Sequence, residues 1–317
     1  MRVLLFLVLF PILIFGQSSF DDAKQLYANK DYKKAAEVLE PFVAKNPNHL
    51  EAVELYGDAN AQQSKWDTAI THYKFLISEG PENANYHYKY GGALGMKALS
   101  ISKIRALGII GEVKAAFLKA AELDPTHIDT RWALVELYMQ LPGIIGGSKS
   151  KSLKYAQELE TLSTVDGYLA KGYIYEYDNE PELAETYYKL AISVGGSVTC
   201  YDKLITLYEK EGRPQEAISV MEAAHIKHQR NALHYQIGKV CAEYNVQLEK
   251  GAYCLQVYLK QYSVQDGVPK AWAYYRLAQI YKHQKDKSKA LKYINKAISE
   301  LPDSAVFTSE KQEINNL

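Results

Sequence analysis

Residues 141–153 read LPGIIGGSKSKSL. Glycines leading into Lys149 and Ser150 are the residue types of a phosphate cradle. In such a cradle backbone N–H groups and a lysine hold the oxyanions, and a hydroxyl holds magnesium. A glycine must stand directly before the lysine, where the backbone approaches phosphate; Ser148 stands there instead. A strand must also precede the loop, whereas ALVELY (133–138) reads as helix. The stretch is therefore predicted to be an inter-helix turn. Pro142 and Gly143 stop one helix, Ile144 and Ile145 tuck inward, and Ser148 caps the next.

Other residues that could do chemistry are scattered. Of eight histidines, only His225 and His228 have the i, i+3 spacing of helical metal ligands, with His234 nearby in sequence. No carboxylate signature accompanies them, so surface and junction histidines are expected and no metal. A nucleophile elbow, a Cys-His motif and a dinucleotide glycine fingerprint are all missing, so neither a cofactor nor an enzyme is expected. Cys200, Cys241 and Cys254 are too few to frame a fold with disulfides. Two readings stay open for them: small buried side chains, or a Cys241–Cys254 pair across one hairpin.

The 37 basic and 37 acidic residues cancel, which removes any bulk argument for nucleic acid or an anionic surface. The lysines at 282, 285, 287, 289, 292 and 296 read as a solvated outer face, with an anionic-partner patch as the alternative. Tyrosine is unusually frequent, at 26 against 8 Phe. So many amphipathic rings suit packing layers with one wet edge, or an exposed groove.

The chain opens MRVLLFLVLFPILIFGQ. A short positive end, an apolar run and small Gly16 are the parts of a secretory signal peptide, taken as residues 1–16. The run is short for a span and contains Pro11. An exported protein of the periplasm or cell envelope is expected, with no stable span after cleavage; an uncleaved anchor is the alternative.

The elements that position these residues recur. NKDYKKAAEVLEPFVAKNP (29–47) aligns with QSKWDTAITHYKFLISEGP (63–81), and with segments at 178–196, 211–229 and 284–302. Ala35, Ala69, Ala184, Ala217 and Ala290 occupy one place, followed at i+4 by Leu39, Tyr73, Tyr188, Met221 and Ile294. Such spacing makes one helix face. Preceding segments such as LYGDAN, YGGALG, KGYIYE and IGKVCA share a small residue: Gly57, Gly91, Gly172 and Gly238. A small residue there lets two helices of a hairpin approach closely.

This recurring pattern resembles the tetratricopeptide repeat, in an exported bacterial form. The expected fold is all-α: a right-handed α-solenoid of about eight hairpins over 17–317. The repeats fall near 16–49, 50–83, 84–127, 128–164, 165–197, 198–230, 231–270 and 271–304, with a capping helix at 305–317. The resemblance implies a non-catalytic scaffold that binds an extended peptide or partner protein in a concave groove lined by the first helices. The matching inward positions are Glu54 and Asp58, then Tyr88, then Trp132 and Glu136. Tyr173, Tyr177, Tyr235, Trp272 and Tyr275 continue the series. The Asn/Lys/Arg set with which some relatives clamp a C-terminal carboxylate is missing from these places.

Repeats three and four are longer than the rest, around 99–114 and 141–150, and both contain Gly-Ile-Ile-Gly. Read as inter-helix loops, they would stack on one rim and place Ile109, Ile110, Ile144 and Ile145 together. Either these isoleucines bury against each other, or they form a docking patch. The second functional reading is thus an accessory subunit of an envelope complex, docked through that rim. Protein recovered from the cell envelope is predicted to have an intact mass lacking residues 1–16; retention of Met1 would contradict the signal assignment.

Overall fold

The computed structural model describes the backbone of residues 10–317 and side chains from Ser19 onward. The expected signal peptide, residues 1–16, lies outside the residues described with side chains. The protein is an all-α helical-repeat solenoid, and its residues group into two compact units, 1–163 and 164–317. The first unit holds four hairpins: α1 (Phe10–Ala28) with α2 (Tyr32–Lys45), α3 (Leu50–Ala61) with α4 (Trp66–Glu79), α5 (Ala84–Ser100) with α6 (Lys103–Leu123), and α7 (Ile128–Gln140) with α8 (Lys149–Leu162). The second holds α9 (Thr164–Tyr177) with α10 (Pro181–Val194), α11 (Val198–Lys210) with α12 (Pro214–His228), α13 (Asn231–Tyr244) with α14 (Leu248–Lys260), and α15 (Lys270–His283) with α16 (Lys287–Glu300). A terminal helix, α17 (Ala305–Asn315), follows.

Local chemistry sets the helix ends. Asp31, Asp286 and Ser304 accept backbone N–H groups at the starts of α2, α16 and α17. The ring nitrogens of His49 and His127 do the same for α3 and α7, which gives two of the scattered histidines a structural role. Five hairpins turn through one left-handed residue: Lys30, Ser64, Asn179, Gly212 and Lys285. After each, a backbone N–H returns to the carbonyl five residues back, as from Asp31 to Leu26 and from Arg213 to Tyr208. Carbonyls left open at the first helix's end are thereby satisfied.

The seam of each hairpin lies where a small residue meets a large one. A Cβ on Gly57 would sit 2.7 Å from the Tyr73 ring, on Gly172 2.3 Å from Tyr188, and on Gly238 2.3 Å from Leu255. These glycines are demanded by closeness and not by backbone conformation. The two tyrosine seams extend into a relay. Tyr73 donates to Asp58 at 2.7 Å, and Lys89 of the next first helix pairs with both Asp58 and Glu54 at 2.6 Å. Tyr188 donates to Glu176 at 2.8 Å, and Lys210 pairs with Glu176 at 3.5 Å. Within the second unit the ladder continues with Lys239 on Glu209, Arg276 on Glu243 at 2.6 Å, and Lys282 on Glu310.

The longer repeats depart from the loop expectation in different ways. In the third hairpin the extra residues lengthen the helices. Only Ile101 and Ser102 separate α5 from α6, and Gly108-Ile109-Ile110-Gly111 lies inside α6. The segment lacks proline and is flanked by good helix formers, so two glycines weaken the helix without breaking it. The fourth hairpin does contain a turn. Residues Gly143–Ile145 form one 3-10 turn closed by hydrogen bonds to Pro142 and Gly143. Gly147 is obligatory, since a Cβ there would fall 1.7 Å from the Leu141 carbonyl oxygen. Ser148 caps α8 as expected, but Ile144 points outward, 97% exposed.

The contrast between glycines is testable. Gly172→Ala places a methyl against the Tyr188 ring and is expected to destabilise by about 1–3 kcal/mol. Gly92→Ala, whose Cβ meets nothing within 4 Å, is expected to stabilise by up to roughly 1 kcal/mol. Denaturant melts of both variants check the pair.

Candidate functional site: an apolar cleft in the first unit

The lengthened third hairpin and α7 enclose a cleft of about 400 Å³. Gly92, Gly95 and Met96 of α5 form its floor. Ile110, Val113 and Phe117 of α6 form one wall, and Leu137 of α7 with Leu141 just after it the other. Tyr88, Glu136 and Gln140 supply polar groups. Its size and its apolar lining with few polar groups are those of a binding site.

Adjacent glycines of α5 do different jobs. Gly91 lies against Phe117 and Ala116, at 3.0 and 3.1 Å from a built Cβ, so helix packing requires it. Gly92 faces open space, and a Cβ on Gly95 would be an ordinary 3.7 Å from Val113. Each costs the helix roughly 1 kcal/mol against alanine, and neither is required by packing. What they provide is room: bare backbone in the lining of the cleft.

Tyr88 stands at one end, its ring 6.2 Å from Phe117 and 5.2 Å from His127. Burial pushes its hydroxyl pKa up, and the Asp129 and Glu136 carboxylates push it further. The phenol is thus held neutral, with the Lys89 ammonium acting against the two carboxylates.

The expected groove residues are distributed as follows. Tyr88 and Glu136 meet in the cleft, and Ile110 of the expected rim joins them. Trp132 is half-buried on α7, and Ile109 and Ile145 are half-buried. Tyr173 and Tyr177 form a tilted pair 6.0 Å apart on α9, with Tyr177 half exposed. Tyr235 and Tyr275 are buried and so do not line an open groove. Tyr235 packs on Tyr258 at 5.4 Å, and Tyr275 stacks on Phe307 of α17 at 5.2 Å. Trp272 meets the same Phe307 edge-on at 5.0 Å. Glu54 and Asp58 share the one ammonium of Lys89, and with Glu51, Lys24 and Tyr27 they line an open pocket in which the acids outnumber the lysines. Burial pulls the Lys89 ammonium down, but the two carboxylates more than offset it and its pKa is raised.

The sequence reading missed Gly92 and Gly95 as a floor, and Lys89 as a partner. Signals for both exist: a second and third glycine in YGGALG beyond the packing one, and a lysine 31 residues after Asp58. Nor do the three histidines converge. His225 and His234 rings lie 4.3 Å apart, while His228 bonds the Gly196 carbonyl and faces Tyr201. Among the described residues no group of three or more His, Cys, Asp or Glu could hold a metal, and no helix is long and apolar enough to cross a membrane.

Residues 20–84, 165–194 and 271–304 each match a family model described as tetratricopeptide repeat. No curated protein matches the chain by sequence. Similar solved structures include a tetratricopeptide repeat protein from Parabacteroides merdae, at 14% identity and TM-score 0.49, covering 95% of this chain and 99% of that one. A thermophilic repeat protein of Thermus thermophilus has 16% identity and TM-score 0.41, over 77% and 99%. YrrB, described as having an unusual peptide-binding site, has 19% identity and TM-score 0.44, over 62% and 98%.

The cysteines are poor nucleophiles. All three are buried. Burial, then the neighbouring Cys254, pushes the Cys241 thiol up to about 12; burial, then Glu222, pushes Cys254 up to about 11. A thiolate is the reactive form. At pH 8 the native protein is therefore expected to leave both unmodified by a disulfide reagent over minutes, and denatured protein to react at once; absorbance of the released thiol reports both.

Proposed function

Because this chain is a tetratricopeptide repeat protein, a protein–protein interaction scaffold, we propose that it binds an extended, apolar segment of a partner protein in the cleft between α5, α6 and α7. In this reading an apolar side chain of the partner enters over Gly92 and Gly95, between Phe117 and Leu137. A basic residue beside it faces Glu136 and the Tyr88 end. Binding is non-catalytic, and the chain acts in the cell envelope after export.

The observation that carries the reading is the pair of glycines. They weaken α5 where packing gives no return, and they open its backbone to the cleft. Burying one large apolar side chain there would contribute about 1.5–3 kcal/mol, enough to anchor a peptide whose remaining contacts set register.

Gly92→Leu fills the cleft from its floor without touching the hairpin seam. The variant is expected to melt at or above the parent's temperature and to bind the partner captured from the cell's own envelope at least about tenfold more weakly. Tyr88→Ala should weaken binding as well. Capture undiminished by Gly92→Leu but lost on Tyr173→Ala with Tyr177→Ala would move the site to the exposed tyrosine pair on α9.

A further inference from the structure

The corner where α5 meets α6 carries a second apolar surface, of the opposite shape. Leu99 is 72% exposed, Ile104 84% and Leu107 54%, and fully exposed Ile144 projects from the neighbouring turn. Leu99 and Leu141 line one cleft, and the Lys114 ammonium lies 3.5 Å from a Cβ built on Gly146. The turn therefore stands beside α6. Residues 103–112 of α6 bury no side chain; the first buried residue is Val113. Helices in proteins are held mainly by packing of an apolar face. In this stretch only Ala106, Ile109 and Ile110 are half-buried, and Gly108 and Gly111 weaken it further.

The charge around it is one-sided. Residues 97–114 and 141–151 contain Lys97, Lys103, Arg105, Lys114, Lys149 and Lys151 against one acid, Glu112. Glu112 accepts a hydrogen bond from Tyr90, and Lys97 pairs with Asp67. Lys103 and Arg105 are exposed and make no ion pair among the described residues. Because the whole chain is neutral, this attraction is local.

We propose that this corner docks on an anionic lipid surface. Leu99, Ile104, Leu107 and Ile144 enter the boundary between headgroups and acyl chains, while Lys103 and Arg105 reach headgroup phosphates on their long stems. Shape favours a bilayer over a protein. Ile104, Leu107 and Ile144 stand out from the surface and do not line the cleft, and a fluid interface accepts them without a matching pocket. Leu99 also borders the cleft, whereas Lys103, Ile104, Arg105, Leu107 and Ile144 line no part of it.

The test is flotation of the whole protein with vesicles of phosphatidylcholine alone, or of phosphatidylcholine and phosphatidylglycerol in equal parts. Two free surface cations predict binding roughly thirtyfold tighter to the anionic vesicles, weakening as salt is raised. Ile104→Asp with Ile144→Asp should abolish binding, and Lys103→Glu with Arg105→Glu should remove the anionic preference. Both should leave the melting temperature unchanged, since all four side chains face solvent. Gly92→Leu should float like the parent, so this proposal and the cleft reading fail separately. No flotation, equal flotation on both vesicles, or flotation unchanged in the corner variants overturns the proposal. So does a dimer in sedimentation that Ile104→Asp dissolves, which would assign the corner to a second copy.

Discussion

In each seam resolved above, the gap between the two helices of a hairpin is set at one residue. Where Gly172 faces Tyr188, a single added methyl has no room. The closeness fixes where the ring lies, and so where its hydroxyl ends. In two hairpins that hydroxyl ends on a carboxylate of the first helix, and the carboxylate also holds a lysine from the next first helix. Intra-hairpin packing and inter-hairpin pairing thus meet on one side chain. Burial raises the Tyr73 and Tyr188 pKa values, and the facing acid raises them further. Both rings therefore stay neutral donors at any physiological pH.

How much of this was legible in the sequence depends on distance along the chain. The Ala35-to-Leu39 spacing and the recurring small residue are local and repeated, so they stand above noise, and the residues they mark are buried. The site was less legible. An inward ring and a ring packed between two repeats occur at the same spacing, and only the neighbouring element separates them. Tyr88 ends in a cleft, because the longer α5 and α6 rise beside it. Tyr275 ends in the core, because α17 brings Phe307 onto it. Lys89, which Glu54 and Asp58 share, was hidden for a related reason, since it lies in the next repeat. Two glycines in the third repeat suggested a loop, yet helix formers on either side kept α6 continuous.

The two units use their aromatic residues differently. In the second, Tyr235, Trp272, Tyr275 and Tyr258 are consumed by packing, and α17 closes the last hairpin by placing Phe307 on two of them. A terminal helix of this kind covers apolar surface that a further repeat would otherwise bury. In the first unit the added residues work the other way: they lengthen two helices beyond their neighbours and leave apolar side chains without cover.

The shared carboxylate bears on how such a chain can change over generations. A hairpin looks like a module that recombination could duplicate or delete. Yet Asp58 belongs to its own Tyr73 and equally to the following Lys89. Cutting at the hairpin boundary strands a half-buried acid on one side and a lysine on the other. The unit that keeps its charges paired is therefore a hairpin together with the first helix after it. A rearrangement keeps such an acid paired only where the following first helix again brings a basic residue to it, as Lys210 is brought to Glu176.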